Sequence, residues 1–506
     1  MASTPSDKAQ STLLKEQFPA PEAVQLIPEA LARKYTAIPV VIKDGTLQIA
    51  IANPADIFAL EALASQSRMR VEPYPASREE IREAIDLNYR AYDEIEKQVS
   101  GISLPDDYAD EQIRPDTSAD APVVQALSLI IEEAVKARAS DIHFQPQEDK
   151  LRIRYRIDGT LQNILALPAA MHTPLVSRVK IMANMNIADH HRTQDGQFSL
   201  EARGHKVDVR VGTMPTVYGE MAVLRLLDKS RWNLELSELG FLPDTLEKYQ
   251  KMLEIPYGMI LVSGPTGAGK TTTLYASINC LNHTERNVIT IEDPVEYRFK
   301  NINQIQVNPR AGLDFSTGLR AILRLDPDII LIGEIRDAET AQIAVQGALT
   351  GHLVLSSIHA NDTFTVVSRL LDLGVEPFLV SSALIGIIAQ RMVRRVCPYC
   401  SHSIPVPLME RMAYTKEIGE ERSEFNYGTG CQACANTGYQ GRTGVFELLH
   451  VDDDLRAMLA NGADIADLRA EAIDSGMTTL LKDGMLKARA GITTPSEVLR
   501  NAHLVE

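Results

Sequence analysis

Aromatic residues and positive charge are both scarce in this sequence. One Trp is present among 506 residues, aromatic residues make up 5%, and 51 Lys and Arg stand against 67 Asp and Glu, for a formal net charge of −16. Nucleic-acid binding depends on clustered cations, and single-strand binding also on aromatic stacking. We therefore expect no direct contact with nucleic acid.

Long hydrophobic runs are also missing. The longest, such as residues 379–389, is interrupted by serines and is shorter than the roughly 20 residues that cross a bilayer. Residues 1–8 are polar and lack the apolar core of a signal peptide. We expect a cytoplasmic protein that associates peripherally with a membrane only through partners.

Cysteine is rare, but its spacing is informative. Four of the five cysteines form two C-x-x-C pairs, Cys397/Cys400 and Cys431/Cys434. In a cytoplasmic chain this spacing favours a structural Zn²⁺ over disulfides. An iron–sulfur cluster or reduced thiols remain the alternatives. The fifth, Cys280, is expected to be a small buried apolar side chain.

A complete phosphate-binding loop is the strongest motif present. It is the pattern G-x-x-x-x-G-K-[ST], and its residues are Gly264, Pro265, Thr266, Gly267, Ala268, Gly269, Lys270 and Thr271. Residues 258–263 before it predict a buried strand, and residues 272–277, from Thr272 onward, predict a helix. Backbone N–H groups of such a loop surround phosphate oxygens, the lysine reaches the outer phosphates, and the hydroxyl of Thr271 can bind Mg²⁺. The loop predicts a nucleotide-binding protein that hydrolyses its nucleotide.

Composition shifts divide the chain into domains. A chain of this length is expected to hold two to four. We predict an N-terminal domain at 1–99, a Pro- and Asp-rich linker at 100–121, a second α+β domain at 122–228, a linker at 229–241 and a nucleotide-binding domain at 242–506. The last includes the cysteine module 397–434 and a helical tail.

Local patterns give each domain a fold class. Residues 38–42 and 47–51 predict two strands joined by a turn with Asp-Gly. Residues 151–157 alternate apolar side chains with three arginines, which predicts a half-buried strand. From residue 242 helices alternate with apolar strands such as 287–291 and 328–333, as in a doubly wound α/β sheet.

Hydrolysis also requires a carboxylate to orient water, ligands for Mg²⁺ and positive charge near the transition state. Acidic residues follow two predicted strands: Glu292 and Glu296 in segment 290–297, and Glu334 directly after 328–333. Ligands bind at strand ends in such sheets. A solvated acidic loop and an ordinary core strand are the alternative interpretations.

Two histidines bracket a further apolar strand. His352 precedes it and His359 follows it within residues 350–362. A histidine at a strand end is commonly a surface group, but beside a nucleotide it can sense the γ-phosphate. The sequence alone leaves both readings open.

Taken together, these motifs resemble those of the type II secretion and type IV pilus assembly ATPases, from about residue 119 to 500 and more loosely before it. The phosphate loop, the acidic segment, the Gly-Glu strand end, the histidine segment and the cysteine pairs occur in the family's order. The resemblance implies an α/β protein: a RecA-like P-loop NTPase domain preceded by a PAS-like α+β domain, with a small N-terminal α/β domain and a four-cysteine zinc module. ATP, Mg²⁺ and Zn²⁺ are its implied cofactors.

The resemblance also implies residue roles. Glu296 is similar to the carboxylate that polarises the attacking water, with Glu292 as second candidate. Glu334 matches the carboxylate of the Mg²⁺ shell, and His359 the γ-phosphate sensor. Further family arginines near the site or the subunit interface are Arg320, Arg324 and Arg336.

Two more arginines match residues that family members supply to a neighbour's nucleotide, Arg210 and Arg225. Both lie among apolar residues of predicted strands, where an unpaired charge is costly; an internal salt bridge is the alternative. Because such a device requires a ring, a homo-hexamer is expected. The chain departs from the family pattern at Thr193, where Pro is common, and at Gln197, where Arg is frequent.

The implied function is a motor that hydrolyses ATP to drive assembly of pilin-like subunits for type II secretion, on a platform of inner-membrane proteins to which the N-terminal domain docks. A type IV pilus assembly ATPase is the alternative. A nucleic-acid translocase with a zinc ribbon, and a nucleotide-binding scaffold without turnover, are competing hypotheses. Acidic composition speaks against the first, and Glu296, Glu334 and His359 speak against the second.

Overall fold

The computed structural model describes residues 19, 21–24, 26–43, 45–89, 122–202, 205–228, 235–281 and 285–502. Two compact units divide the chain. The first consists of residues 1–228 with the short segments 398–400 and 430–438, and the second of residues 229–397, 401–429 and 439–506. The predicted linker 100–121 lies outside the described residues, and the domain boundaries remain predictions.

A small α/β layer begins the described chain. Its sheet has the order β1-β2-β3, with β1 antiparallel to β2 and β2 parallel to β3. The predicted pair of strands at 38–42 and 47–51 is confirmed as β1 and β2. The elements are α1 (Pro21–Val24), α2 (Glu29–Tyr35), β1 (Ala37–Lys43), β2 (Thr46–Ile51), α3 (Ile57–Ser67), β3 (Arg70–Pro75) and α4 (Arg78–Asn88).

A six-stranded antiparallel sheet follows, in the order β6-β5-β4-β9-β8-β7. Its strands are β4 (Asp141–Pro146), β5 (Lys150–Ile157), β6 (Thr160–Pro168), β7 (Gln194–Ala202), β8 (His205–Thr216) and β9 (Gly219–Asp228). The apolar residues of α5 (Pro122–Lys136) and α6 (His172–Met182) join one core with the inward residues of the sheet. The alternation predicted at 151–157 is confirmed: Leu151, Ile153 and Tyr155 are buried, and the arginines between them are not.

The nucleotide-binding domain is built on a seven-stranded sheet in the order β12-β11-β13-β14-β10-β15-β18. All neighbours are parallel except β15 and β18. The strands are β10 (Gly258–Ser263), β11 (Val288–Glu292), β12 (Asn303–Gln306), β13 (Ile329–Ile332), β14 (Leu353–Ile358), β15 (Leu384–Val396) and β18 (Tyr439–His450). Strands β10, β11, β13 and β14 are buried along their whole length, as strands covered on both faces must be.

Helices cover this sheet, and further helices form the C-terminal tail of the domain. They are α7 (Pro243–Glu254), α8 (Lys270–Cys280), α9 (Phe315–Ile322), α10 (Ala338–Leu349), α11 (Thr363–Asp372), α12 (Pro377–Ala383), α14 (Asp453–Ala460), α15 (Ile465–Asp474), α16 (Leu480–Arg489) and α17 (Pro495–Ala502). Between β15 and β18 the chain forms the two-stranded sheet of β16 (Ser401–Pro405) and β17 (Glu424–Gly428), joined by α13 (Leu408–Ile418). The doubly wound prediction and the helical tail are confirmed.

Part of the predicted linker 229–241 packs on the nucleotide-binding domain. Residues 229–234 lie outside the described part of the chain, but Leu236 and Phe241 are buried in its core. The ring of Phe241 stacks on that of Phe446 with 3.7 Å between ring centroids. These two residues therefore belong to the packed core of that domain.

Candidate functional site

The phosphate loop connects β10 to α8. Gly264, Gly267 and Gly269 have φ angles of 147°, 80° and 91°, a region that side-chain-bearing residues rarely adopt. At Gly264 a Cβ atom would also lie 2.5 Å from the carbonyl oxygen of Gln390. The glycines at 264 and 269 therefore permit the turn that aims backbone N–H groups into the loop.

Lys270 begins α8 and folds back over this loop. Its Nζ donates hydrogen bonds to the carbonyl oxygens of Gly264 at 2.7 Å and Pro265 at 3.3 Å. Burial is the main cause that lowers the pKa of Lys270; the charge of Glu334 opposes this shift and that of Arg391 adds to it. An anion in the loop would offset both effects, because a nearby opposite charge favours the protonated ammonium.

The ends of three parallel strands meet at this edge of the sheet. Ser263 at the end of β10 is paired with Ile358 at the end of β14, and Ile332 at the end of β13 is paired with Ser356. The residues that follow these strands therefore lie close together. They are the phosphate loop after β10, the histidine segment after β14 and Glu334 after β13. Strand ends at such an edge are where open α/β sheets bind ligands.

Glu334 and His359 lie together there. The Nε2 atom of His359 is 3.5 Å from Oε2 of Glu334, whose other oxygen pairs with Arg336. The Glu334 side chain is 14% exposed and that of His359 is 53% exposed. Oε2 of Glu334 is buried and accepts no hydrogen bond among the described residues, so it is suited to a cation or a water molecule.

Hydrogen bonds between the strand ends fix Glu334. The Oγ atom of Ser357 donates to the carbonyl oxygen of Gly333 at 2.7 Å, and the N–H of Ile335 donates to the carbonyl oxygen of Ser357 at 2.9 Å. A Cβ atom on Gly333 would stand 3.3 Å from Cα of Glu292. The glycine before Glu334 is thus matched to the close approach of β11.

Glu292 is buried and held on both of its oxygens. Oε1 accepts hydrogen bonds from Thr290 at 2.6 Å and from Gln304 at 3.1 Å, and Oε2 accepts one from the hydroxyl of Tyr275. The same tyrosine hydroxyl accepts a hydrogen bond from the N–H of Glu296 at 3.3 Å. The geometry gives Glu292 an anchoring position, and the segment that carries Glu296 is tied to it through Tyr275.

Other candidates lie elsewhere. His352 stands before β14, at the opposite edge of the sheet, where its ring contacts the carbonyl oxygen of Gly347 at 2.9 Å. Arg320 pairs with Glu339, and both side chains are about half exposed. His352 therefore lies away from the phosphate loop, and Arg320 is engaged with an acidic partner at the start of α10.

Arg210 and Arg225 belong to the first unit, where they face each other on β8 and β9. Nε of Arg225 donates to Asp141 at 3.0 Å, which is the internal ion pair that the sequence left open, yet 64% of the Arg225 side chain remains exposed. The ion pair joins a largely exposed guanidinium to a carboxylate that is only 8% exposed.

One contact to the phosphate loop was missed by the sequence analysis. Gln390, on β15, donates from Nε2 to the carbonyl oxygen of Ala268 at 2.7 Å and accepts from the hydroxyl of Thr273 at 2.8 Å. Its neighbour Arg391 is also buried. The available signal was a pair of long polar residues in a 13-residue strand that is otherwise apolar up to that point.

The four paired cysteines form one cluster. Their Sγ atoms all lie within 4.8 Å of one another, with 3.9 Å between Cys400 and Cys434 and 3.7 Å between Cys431 and Cys434. Four sulfurs bound at 2.3 Å around one tetrahedral ion are separated by about 3.8 Å. The donor set therefore fits Zn²⁺ and leaves no open coordination position.

Cys280, in contrast, is exposed at the end of α8. The prediction of a buried apolar role is wrong, because the helix reaches the surface in its last turn. Among the described residues we find no helix with the length and apolar character that crossing a bilayer requires.

A phosphate loop with its lysine, an adjacent acidic strand end and a parallel α/β sheet define a P-loop NTPase. The family model for type II/IV secretion system protein matches residues 116–500, and the model for the MshEN domain matches residues 12–94. The chain belongs to the type II/IV secretion system protein family. The predicted family and fold class, and the assignment as an ATPase, are confirmed.

Close relatives carry both names that the sequence suggested. The type IV pilus assembly ATPase PilB of Myxococcus xanthus is 41% identical over 96% of this chain and 88% of its own length. The type II secretion system protein HxcR of Pseudomonas aeruginosa is 44% identical over 86% of this chain and 91% of its own. A structure of the pilus retraction motor PilT with bound ADP is 26% identical, with a TM-score of 0.50, over 73% of this chain and 95% of PilT.

Proposed function

We propose that this chain is a cytoplasmic motor that hydrolyses ATP to power the assembly of pilin-like subunits for type II protein secretion. The observation that carries the proposal is the meeting of Lys270, Glu334 and His359 at the ends of adjacent parallel strands. Secretion is favoured by the similarity to HxcR, and the near full-length similarity to PilB supports type IV pilus assembly as the second candidate.

In the proposed site the phosphate loop binds the triphosphate. Lys270 exchanges its two carbonyl contacts for the outer phosphates, and the histidine at 359 approaches the terminal phosphate. Glu296, held by Tyr275, orients and accepts a proton from the attacking water. Glu292 serves as the anchor of Tyr275 rather than as a second base, because both of its oxygens are already engaged.

Magnesium fits this site through its oxygen donors. Thr271 is exposed at the start of α8, and Oε2 of Glu334 is buried without a hydrogen bond among the described residues. Mg²⁺ keeps several water ligands and takes few protein oxygens, so these two groups suffice. When bound, it supplies positive charge against the β- and γ-phosphates.

We further propose a homo-hexamer in which Arg210 and Arg225 act on the nucleotide of a neighbouring subunit. The support is their juxtaposition on β8 and β9 and the exposure of Arg225. Arginines supplied by another subunit are worth several orders of magnitude in hydrolysis rate. The proposed partners are inner-membrane platform proteins, bound through the N-terminal domain.

The cysteine cluster is proposed to hold Zn²⁺ as a structural ion. Its sulfur separations support this, and so do the N–H groups of Cys431 and Gly438, each 3.2 Å from Sγ of Cys434. Hydrogen bonds of this kind stabilise a thiolate. The ion holds the module together and takes no part in hydrolysis.

The test is phosphate release by Lys270→Ala, with Lys251→Ala as matched control. Lys251 is an exposed lysine paired with Glu247 on α7. We expect Lys270→Ala to unfold at the wild-type temperature but to lose Mg-ATP hydrolysis, while Lys251→Ala keeps it. Unchanged turnover in Lys270→Ala would refute the catalytic assignment, and hydrolysis stimulated by DNA would favour a translocase.

Secretion and pilus assembly are separated by complementation. The gene is introduced into strains lacking either the secretion ATPase or the pilus assembly ATPase, beside its Lys270→Ala variant. Restored export of a secreted enzyme supports the first function, and restored surface pili support the second. Restoration that survives the Lys270→Ala change would contradict both.

A further inference from the structure

Arg391 occupies an unusual position directly behind the phosphate loop. It lies on β15, whose residues Ile388 and Ala389 pair with Val262 and Ser263 at the end of β10. The side chain is only 8% exposed. A buried guanidinium is costly unless hydrogen bonds and opposite charges compensate it, so its partners indicate why it is there.

The guanidinium joins β15 to the segment after β14. Its NH1 group donates to the carbonyl oxygen of Gln390 at 3.0 Å, and its NH2 group donates to the carbonyl oxygen of Asn361 at 2.7 Å. Gln390 in turn holds Ala268 of the phosphate loop. Asn361 lies two residues after His359, in the segment between β14 and α11.

Charges on both sides act on this arginine. Burial is the main cause that lowers the pKa of Arg391, and the carboxylates of Asp362 and Glu447 oppose the shift. Asp362 caps α11 through the N–H of Thr365 at 2.6 Å, and Glu447 accepts from Thr363 at 2.7 Å. Arg391, Asp362 and Glu447 therefore hold the segment that follows His359, and all of them belong to the second unit.

We infer that Arg391 is a positioning residue that couples the phosphate loop to the segment carrying His359. It holds the carbonyl oxygen of Asn361 against β15, whose Gln390 side chain holds Ala268 of the phosphate loop. In this way it sets the distance between the loop that binds the phosphates and the histidine that approaches them. The inference rests on the role of His359 in the proposed function.

Two properties separate this role from general core packing. The Arg391 guanidinium donates both to the carbonyl oxygen of Asn361 and to that of Gln390 on β15. A lysine keeps the charge but cannot make the same two-pronged contact. Its charge also reaches Lys270. Substitution should therefore disturb the transition state more than nucleotide binding.

The test is Arg391→Lys in the full-length protein, with Arg395→Lys as matched control on the exposed side of the same strand. We expect kcat to fall about 10- to 100-fold, as for a displacement of roughly 1 Å in a reacting group, with KM and the Kd of a fluorescent ATP analogue within about twofold of wild type. Arg395→Lys should match wild type. Wild-type kcat in Arg391→Lys, or a loss that appears in Kd alone, would overturn the inference.

A double-mutant cycle with His359→Ala supplies the readout that packing would not move. If Arg391 acts through the His359 segment, the double variant is no slower than His359→Ala alone; additive losses overturn the coupling. Wild-type turnover in His359→Ala would refute the proposed role of His359 and, with it, any coupling. Additive losses with a slow His359→Ala would leave the proposed function standing and remove only the inference.

A second variant covers the case in which Arg391→Lys does not fold. Asn361→Gly loosens the same segment and leaves Arg391 in place, because glycine adds backbone freedom. A fall in kcat at unchanged Kd supports the coupling. Wild-type kcat in a folded Asn361→Gly protein contradicts it.

Discussion

Tyr275→Phe removes one hydroxyl that serves two acidic residues. That hydroxyl donates to buried Glu292 and accepts from the N–H of Glu296. Burial is the main cause that raises the pKa of Tyr275, and Glu292 adds to it, so the phenol keeps its proton and remains a donor. The substitution preserves the ring, which is 1% exposed, and leaves no large cavity.

The expected loss of stability follows from the partners that remain. A hydrogen bond to a charged group contributes about 1.5–3 kcal/mol. Thr290 and Gln304 still bind Glu292, so we expect the free energy of unfolding to fall by about 2 kcal/mol. A loss of this size lowers the melting temperature of a domain of this length by about 4–8 °C. Because the Glu296 segment loses its tether, kcat should fall about 10- to 100-fold.

Tyr249→Phe is the matched control. Tyr249 is fully buried, and its hydroxyl contacts that of Ser277 on α8, so the control loses a neutral hydrogen bond in the same domain. It should lower the melting temperature by about 2–4 °C and leave kcat unchanged. The assays are differential scanning calorimetry and steady-state phosphate release. Equal kcat in Tyr275→Phe and Tyr249→Phe would refute the tether.

Three further outcomes are expected. Lys487→Met leaves the fully buried Asp483 without its cation and should lower the free energy of unfolding, measured in urea, by about 3–5 kcal/mol. The double variant Lys487→Met with Asp483→Leu should recover most of that free energy, and no recovery would contradict the pairing. Burial by itself raises the pKa of Glu497, but hydrogen bonds and the ion pair with Arg394 lower it below its ordinary value. Glu497→Gln should therefore destabilise at neutral pH, and its deficit against wild type should shrink as pH falls through the lowered pKa; a deficit independent of pH would exclude the ion pair as its source. A chelator in denaturant should release one Zn²⁺ per chain, measured with a metallochromic dye, and release of iron or of no metal would refute the zinc assignment.

Much of the site could be predicted from the sequence because its functional residues lie in short motifs, each next to a strand. The phosphate loop, the Gly-Glu strand end and His359 each sit directly after an apolar strand, and parallel strands bring their ends to one edge. Glycine at 333 is explained only by the structure, since a Cβ atom there would crowd the backbone of Glu292.

Contacts between segments that are distant in sequence could not be predicted from the sequence. Gln390 reaches the phosphate loop from more than 100 residues away in sequence. Likewise, the assignment of Glu292 as an alternative base gave no hint of the tyrosine that holds it. Such partners depend on strand order, which periodicity does not encode.

Single-turnover phosphate release by Glu334→Gln, beside Glu339→Gln as an exposed control, tests the central claim most directly. The claim is that the acidic end of β13 acts on a triphosphate held by the loop after β10. We predict that Glu334→Gln binds a fluorescent ATP analogue with wild-type Kd but releases phosphate at least about 100-fold more slowly. Release at the wild-type rate would contradict the account.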